Sequence, residues 1–205
     1  MELVASEAGL FWLEEPAGHH GKVLMYCSEA DDCRRILETG PLGSHLNGYG
    51  GGSLAALDDR VVVVSDRQRL ISVNPDDAAA TVLVDEPECE WGGLAADPAR
   101  NRVLAGREAS GAQQLVAVGD NGDWQCLHEG EDFYGAPALS PDGWRIAWIS
   151  WQLPDMPWHQ SKLWIGELDR ALECFGRAIE IEPKLAEGHN NLGTVLQKQG
   201  QFVEA

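Results

Sequence analysis

The feature that most constrains the fold is a unit of about 42 residues that recurs three times between residues 50 and 168. Each unit has a short apolar run, a tight turn, an arginine and a second apolar run. The arginines are Arg60, Arg102 and Arg145, so they lie about 42 residues apart along the chain. A self-similar unit of this length is typical of a propeller or a repeat array.

The turn of the third unit explains why the chain reverses there. Pro141 presets φ for the first central turn position, and Asp142 suits the second position. Gly143 adopts the left-handed conformation that closes the hairpin, because it has no side chain to oppose it. The unit is therefore predicted to be a β-hairpin.

Further strands follow the hairpins. Third strands are predicted at 70–73, 114–118 and 163–165, and fourth strands at 80–84 and 124–127. Four short strands per unit are typical of a propeller blade. Residues 8–37 predict another blade, with strands at 9–13 and 22–26. The predicted fold class is mainly β, a partial β-propeller of three to four blades.

A partial propeller has a consequence for its partners. Closed propellers use about four to eight blades, so an incomplete ring exposes unpaired edges at both ends. We therefore expect either self-association through these open edges or a protein or peptide partner that covers them. No cofactor and no metal are expected, since no ligand spacing for either is present.

The periodicity changes near Asp169. Ala171 and Ala205 lie about 34 residues apart, which is the period of a tetratricopeptide repeat. Leu172, Phe175 and Ile179 share one face of a predicted helix. We predict two domains, a partial β-propeller over 1–168 and a tetratricopeptide repeat fragment, a short α-helical hairpin, over 169–205.

The net charge argues against two classes of partner. The chain carries a formal charge of −18, and residues 169–205 contribute only six acids against four bases, so the excess acid lies in the first domain. Nucleic acid and anionic membranes would be repelled by this charge. Neither is expected as a partner.

The cysteines and the chain start predict a compartment. Five cysteines without a C-x-x-C pair are not typical of a disulfide framework or a zinc site. No secretory leader is evident at the start, and no apolar run approaches the length of a membrane helix. We expect a cytoplasmic protein in which the cysteines are reduced.

The run from Asp132 to Leu168 resembles the propeller of the prolyl oligopeptidase family. The specific part is AWISW at 147–151, followed by PDMPW at 154–158 and by Leu163-Trp164. It is most similar to the bacterial dipeptidyl aminopeptidase and acylaminoacyl-peptidase-like branch. YGGG at 49–52 is also similar, although Asn47-Gly48 replace the His-Glu that precedes it in the family. The resemblance covers about residues 8–168.

The resemblance implies a particular function for such a domain. In that family the propeller filters substrates, and a following α/β-hydrolase domain supplies the catalytic Ser, Asp and His. This chain has no counterpart of those three residues, and its nearest G-x-S-x-G-like string, at 51–55, ends in alanine. We therefore expect Ser53 not to be a nucleophile and the chain not to be an enzyme on its own.

A few residues are candidates for contact with a ligand or a partner. Trp158 lies in a proline-bracketed loop, and Asn190 and Asn191 lie on the predicted helices. Trp148 and Trp164 are instead expected to pack between blades, because they lie within alternating strands.

Three interpretations follow from the sequence. The chain is a non-catalytic fragment of a peptidase-type propeller fused to a tetratricopeptide fragment, or an interaction adaptor that uses the propeller edge and the helices. The third is an artefact of sequence assembly at a seam near Asp169. The sequence alone leaves all three open.

Overall fold

The computed structural model describes residues 2–18, 20–28, 32–37, 40–48 and 51–168. These residues form four antiparallel sheets that follow one another along the chain. The described part contains strands and two short 3-10 turns but no α-helix. The prediction of a mainly β fold is confirmed, whereas the predicted helical hairpin lies outside the described residues.

Blade 1 contains β1 to β4 and blade 2 contains β5 to β8, each in sequential strand order. The strands of blade 1 are Glu2–Ser6, Gly9–Glu14, Val23–Cys27 and Cys33–Arg35. Those of blade 2 are Leu54–Ala56, Val61–Val64, Leu70–Val73 and Ala80–Val84. A first blade near residues 8–37 was predicted, but its first and last strands were not.

Blade 3 contains β9 to β12, and blade 4 contains β13 to β16. The strands of blade 3 are Cys89–Asp97, Arg102–Ala109, Ala112–Val118 and Trp124–Glu129. Those of blade 4 are Phe133–Tyr134, Ala138–Leu139, Arg145–Trp151 and Lys162–Glu167.

Blade 4 departs from the pattern of the other three. β13 and β14 pair with the same edge of β15, so together they are one interrupted first strand, and β16 pairs with the other edge. Within the described residues, blade 4 therefore has the equivalent of three strands rather than four.

The first strands of consecutive blades lie against one another. β1 contacts β5, β5 contacts β9, and β9 contacts β14. Backbone bonds join the second and third blades here, since Leu94 N donates to Gly52 O at 2.7 Å. Sequential sheets that meet along their first strands have the arrangement of propeller blades around an axis.

Three apolar clusters fill the spaces between the blades. The first joins Phe11 and Leu24 of blade 1 to Val61 of blade 2. The second joins blades 2 and 3, and the third joins blades 3 and 4. Each blade is thus a sheet with two apolar faces, which is why its strands read as nearly continuous apolar runs in the sequence.

One cysteine prediction is wrong. Cys27 and Cys33 form a disulfide. They are directly opposite each other in the register of β3 and β4, so the sheet brings their side chains together on one face. The pairing could not be predicted from the sequence, because β4 is short and polar and gives no strand signal.

Candidate binding surfaces

Ser53 lies at the junction of blades 1 and 2 and is fully buried. Its backbone N–H donates to Glu2 Oε2 at 2.6 Å, and its hydroxyl donates to Glu2 Oε1 at 3.2 Å. The same hydroxyl accepts the N–H of Ser44 at 3.0 Å. Through these bonds Ser53 connects the first strand of blade 1, the first strand of blade 2 and the loop at Ser44. Ser53 therefore has a structural role.

The segment 40–48 connects blades 1 and 2 and continues over blades 3 and 4. Asn47 connects this segment to blade 4, because its side-chain amide donates to the carbonyl of Tyr134 at 3.2 Å. Gln113, which is buried, donates to Asn47 Oδ1 at 2.8 Å and accepts the N–H of Tyr134 at 3.0 Å. Buried amides with several partners fix this segment in one position.

A second buried glutamine holds the same segment from the other side. Gln68 Oε1 accepts the N–H of His45 at 3.1 Å, and Gln68 Nε2 donates to Gly43 O at 3.1 Å. Sequence reasoning missed both glutamines, since an isolated glutamine gives no signal of burial.

This segment borders an open groove of about 660 Å³. The groove is lined by Ser44, His45, Asn47, Gly48, Glu90, Glu108 and Phe133. Glu90 and Glu108 are directly opposite each other on β9 and β10. Two carboxylates and a histidine in an open groove can hold the N–H groups of a peptide or an amine. Within the described residues, no group of three or more His, Cys, Asp or Glu side chains is arranged to bind a metal ion.

An aromatic cluster around His128 joins blades 3 and 4. His128 Nδ1 lies 2.8 Å from the Tyr134 hydroxyl, and its ring centroid lies 4.7 Å from that of Trp164 and 5.2 Å from that of Trp148. Burial lowers the pKa of His128, although the carboxylates of Glu131 and Glu129 oppose this change. The prediction that Trp148 and Trp164 pack between blades is confirmed.

A charged cluster stabilises the edge of blade 3. Arg107 Nη2 donates to Glu86 Oε2 at 2.7 Å, and its guanidinium lies 4.4 Å from the ring centroid of Trp124. Burial by itself would raise the pKa of Glu86, but hydrogen bonds from Trp124, Arg107 and Cys89 hold it below its usual value. Burial also raises the pKa of the Cys89 thiol, so this cysteine is a poor nucleophile.

The face of blade 1 that points away from blade 2 is apolar and, within the described residues, partly exposed, with Leu3 55% and Leu10 45% exposed; we call it the front face. Side chains alternate along each strand, so Phe11 and Leu13 point toward blade 2 while Leu10 and Trp12 point outward. The register adds further members to the outward side. The front face comprises Leu3, Ala5, Leu10, Trp12, Met25 and the Cys27–Cys33 disulfide.

The face of blade 4 that points away from blade 3 is also apolar and open; we call it the rear face. Ile146 and Trp148 pack toward blade 3, so Ala147 and Ile149 point outward, opposite Ile165 and Leu163 of β16. The rear face comprises Ala138, Ala147, Ile149, Leu163 and Ile165. Ile165 is 70% exposed, an unusual state for a branched residue in a strand.

The predicted contact residues have different outcomes. Trp158 is 70% exposed in the turn between β15 and β16. Its ring lies edge-on to that of His159, with 5.9 Å between the two ring centroids. Its role in binding stays a prediction. Asn190 and Asn191 lie outside the described residues. Among the described residues, no helix is long and apolar enough to cross a membrane.

One comparison concerns the repeat at the end of the sequence. A family model described as TPR repeat matches residues 165–200, which supports the predicted tetratricopeptide fragment. The match begins within β16, close to the predicted boundary at residue 168. No curated protein matches the chain.

Solved structures resemble the described fold. A puromycin-hydrolysing peptidase of Mycobacterium tuberculosis has a TM-score of 0.70 and 22% identity, and the match covers 81% of this chain and 28% of that one. A puromycin hydrolase has a TM-score of 0.65 and 21% identity over 81% of this chain and 30% of its own. TolB from Acinetobacter baumannii has a TM-score of 0.62 and 11% identity, covering 82% of this chain and 41% of that one.

The TM-scores of these three structures show a similar fold. The chain spans less than a third of the length of the two hydrolases. The expected resemblance to the propeller of a peptidase, followed by a tetratricopeptide match, is confirmed, and the finer assignment to one peptidase branch stays a prediction.

Proposed function

We propose that this chain is a non-catalytic propeller module, similar to the part of a serine peptidase that filters substrates, joined to a tetratricopeptide fragment. The observation that carries the proposal is the environment of Ser53. A nucleophilic serine needs an exposed hydroxyl beside a general base. Ser53 is buried, and its hydroxyl is bonded to Glu2 and to the N–H of Ser44.

The likeness to two hydrolases supports the propeller part of the proposal. The match extends over less than a third of each hydrolase chain, so the likeness concerns one part of each of those proteins. Function belongs to sites rather than folds, so the hydrolytic activity of those proteins does not transfer to this chain.

A hydrolysis assay tests the proposal. Purified protein is incubated with chromogenic aminoacyl and acylaminoacyl substrates, beside a Ser53→Ala variant. We expect no turnover above buffer from either protein. Turnover that a serine-directed inhibitor blocks, and that Ser53→Ala abolishes, contradicts the proposal.

A second candidate function is an adaptor that binds other proteins. It is favoured by two apolar faces that no described residue covers and by the TPR repeat match at 165–200. Large exposed apolar patches mark interaction sites. Trp158 is the exposed aromatic residue that we propose for partner contact. A cooperative thermal transition of a discrete species supports the adaptor, while a molten, aggregating chain contradicts it and leaves the non-catalytic fragment.

The compartment remains a prediction. The strong net negative charge argues against nucleic acid and membrane partners. The Cys27–Cys33 disulfide, however, is typical of an oxidising compartment rather than of the cytoplasm that the sequence predicted.

A further inference from the structure

The two open faces are the two halves of one kind of interface. The front face of blade 1 is equivalent to the faces that blades 2, 3 and 4 present to the preceding blade. The rear face of blade 4 is equivalent to the faces that blades 1, 2 and 3 present to the following blade. Front and rear faces meet three times within the chain, and each meeting forms an apolar cluster.

The residue types agree with this equivalence. Within the chain, Ile146 and Trp148 of blade 4 pack on Leu115 of blade 3. The open front face has the same mixture of a tryptophan and aliphatic residues, with Trp12 and Met25 directly opposite each other in the sheet. The exposed part of the rear face is aliphatic, with Ile149, Leu163 and Ile165 available to pack against a tryptophan.

We propose that the occupant of each face is a second copy of this chain, so that two copies close head to tail into an eight-bladed ring. In this ring the rear face of each copy packs on the front face of the other. The inference rests on the adaptor function proposed above and identifies its partner.

Blade number and symmetry agree with a two-copy ring. Four blades from each copy give about eight, within the range of closed propellers. A contact between two different faces generates a closed ring only if the rotation closes, and otherwise generates a filament. Because consecutive blades already meet along their first strands, a further front-to-rear contact repeats an arrangement that occurs three times within the chain. Closure also removes the exposed apolar faces.

Charge does not oppose the contact at the faces themselves. The rim of the rear face carries Arg145 opposite Glu167, and the rim of the front face carries Glu14 and Arg35. Each rim is therefore locally neutral, although the chain as a whole is strongly acidic. The remaining long-range repulsion between copies is screened by salt, so association should strengthen as ionic strength rises.

The mass of the full chain in solution tests the ring. The chain has a mass of 22.3 kDa. Size-exclusion chromatography with light scattering at high salt should give a single species of twice that mass, and a monomer should appear beside it as the salt concentration is lowered. A monomer at all concentrations overturns the proposal. A continuous series of larger assemblies also overturns it, because it indicates a contact that does not close.

Two single variants test the faces. Leu10→Lys places a charge on the front face, and Ile165→Glu places one on the rear face. Each variant alone should weaken the dimer by at least about tenfold in its dissociation constant, because a charge is then buried in an apolar contact. Val82→Lys is the matched control, since Val82 is an exposed aliphatic residue on the last strand of blade 2, away from both faces. It should retain the wild-type mass.

Mixing the two variants tests the head-to-tail arrangement. In a mixed ring, one interface has neither substitution, and the other places the Leu10→Lys front face of one copy against the Ile165→Glu rear face of the other. The two introduced charges at that second interface have opposite signs. The mixture should therefore recover dimers that neither variant forms alone, even if each single variant aggregates. If the mixture does not recover dimers, the front and rear faces do not pair.

The outcomes separate this inference from the functions on which it depends. A cooperative monomer whose variants behave as wild type removes the ring but leaves the non-catalytic module and an adaptor for another protein. Serine-dependent turnover removes the proposed function instead, whatever the mass of the species.

Discussion

The carboxylate of Glu2 accepts both the backbone N–H and the hydroxyl of Ser53, at 2.6 and 3.2 Å. These two hydrogen bonds join the first strand of blade 1 to the residue that precedes the first strand of blade 2. Lys22 Nζ approaches the same carboxylate at 3.4 Å. One acidic side chain near the start of the chain therefore holds the junction of two blades.

Removing this carboxylate should destabilise the protein. Glu2→Ala leaves the N–H of Ser53 buried without an acceptor, so the free energy of unfolding should fall by about 2 kcal/mol. Urea denaturation measures the change. Glu7→Ala, in the exposed turn that follows β1, is the control and should change stability by less than about 0.5 kcal/mol. Equal effects of the two substitutions would contradict this account of the junction.

The close approach of blades 2 and 3 should not tolerate a side chain. Gly52 has φ +60°, and a Cβ there would lie 2.6 Å from Gly93 Cα. Gly52→Ala should therefore cost more than the roughly 1–2 kcal/mol of left-handed strain. Gly111→Ala isolates that strain, because Gly111 has φ +77° and open space around its Cβ position. Thermal unfolding should rank wild type above Gly111→Ala, and Gly111→Ala well above Gly52→Ala.

Acidification should weaken the contact between blades 3 and 4. Burial lowers the pKa of His128, so the folded state binds less proton than the unfolded state once the pH falls below about 6.5. Stability from this residue is thus present at neutral pH and is lost as the pH falls toward the pKa of the folded state.

Other titratable groups lie around His128, namely Glu129, Glu131, Lys162 and Tyr134. Comparing variants separates the effect of His128 on stability from the effect of these groups. His128→Gln should lose less stability than wild type between about pH 7.5 and 5.5 in denaturation experiments. His159→Gln, at an exposed loop position, should follow the wild type. A His128→Gln curve parallel to the wild type would exclude His128 as the source.

Replacing Arg107 by lysine should destabilise the protein. Its guanidinium donates two N–H groups to Glu86 and also stacks on Trp124, and an ammonium provides neither the fork nor the plane. Arg107→Lys should lower the free energy of unfolding by about 1–2 kcal/mol. Arg67→Lys, at an exposed position, should have little effect. The account of this cluster fails if the two substitutions are equivalent.

The sequence predicted the hairpins of blades 2 to 4 because their signals are local. Pro141 and Gly143 define a turn, and the apolar runs on both sides of it define the strands. It missed β1 and β4, since Glu2–Ser6 and Cys33–Arg35 are short and carry polar residues. Their pairing is decided by neighbouring strands rather than by their own composition.

The binding surfaces were harder to predict, because they depend on register. Glu90 and Glu108 meet only when β9 and β10 pair, and Cys27 meets Cys33 only when β3 and β4 pair. The open faces were anticipated as unpaired propeller edges, but their members depend on which side of each strand points outward. Trp148 and Trp164 were predicted correctly because their alternation within strands already placed them between blades.

The most direct test of the central claim is labelling with a fluorophosphonate probe, which reacts with activated serines. The account predicts no covalent adduct on the intact protein by mass spectrometry, for the wild type and for Ser53→Ala alike, because the Ser53 hydroxyl is buried and bonded to Glu2. A stoichiometric adduct on Ser53 that disappears in Ser53→Ala would contradict the claim that this chain is a non-catalytic propeller.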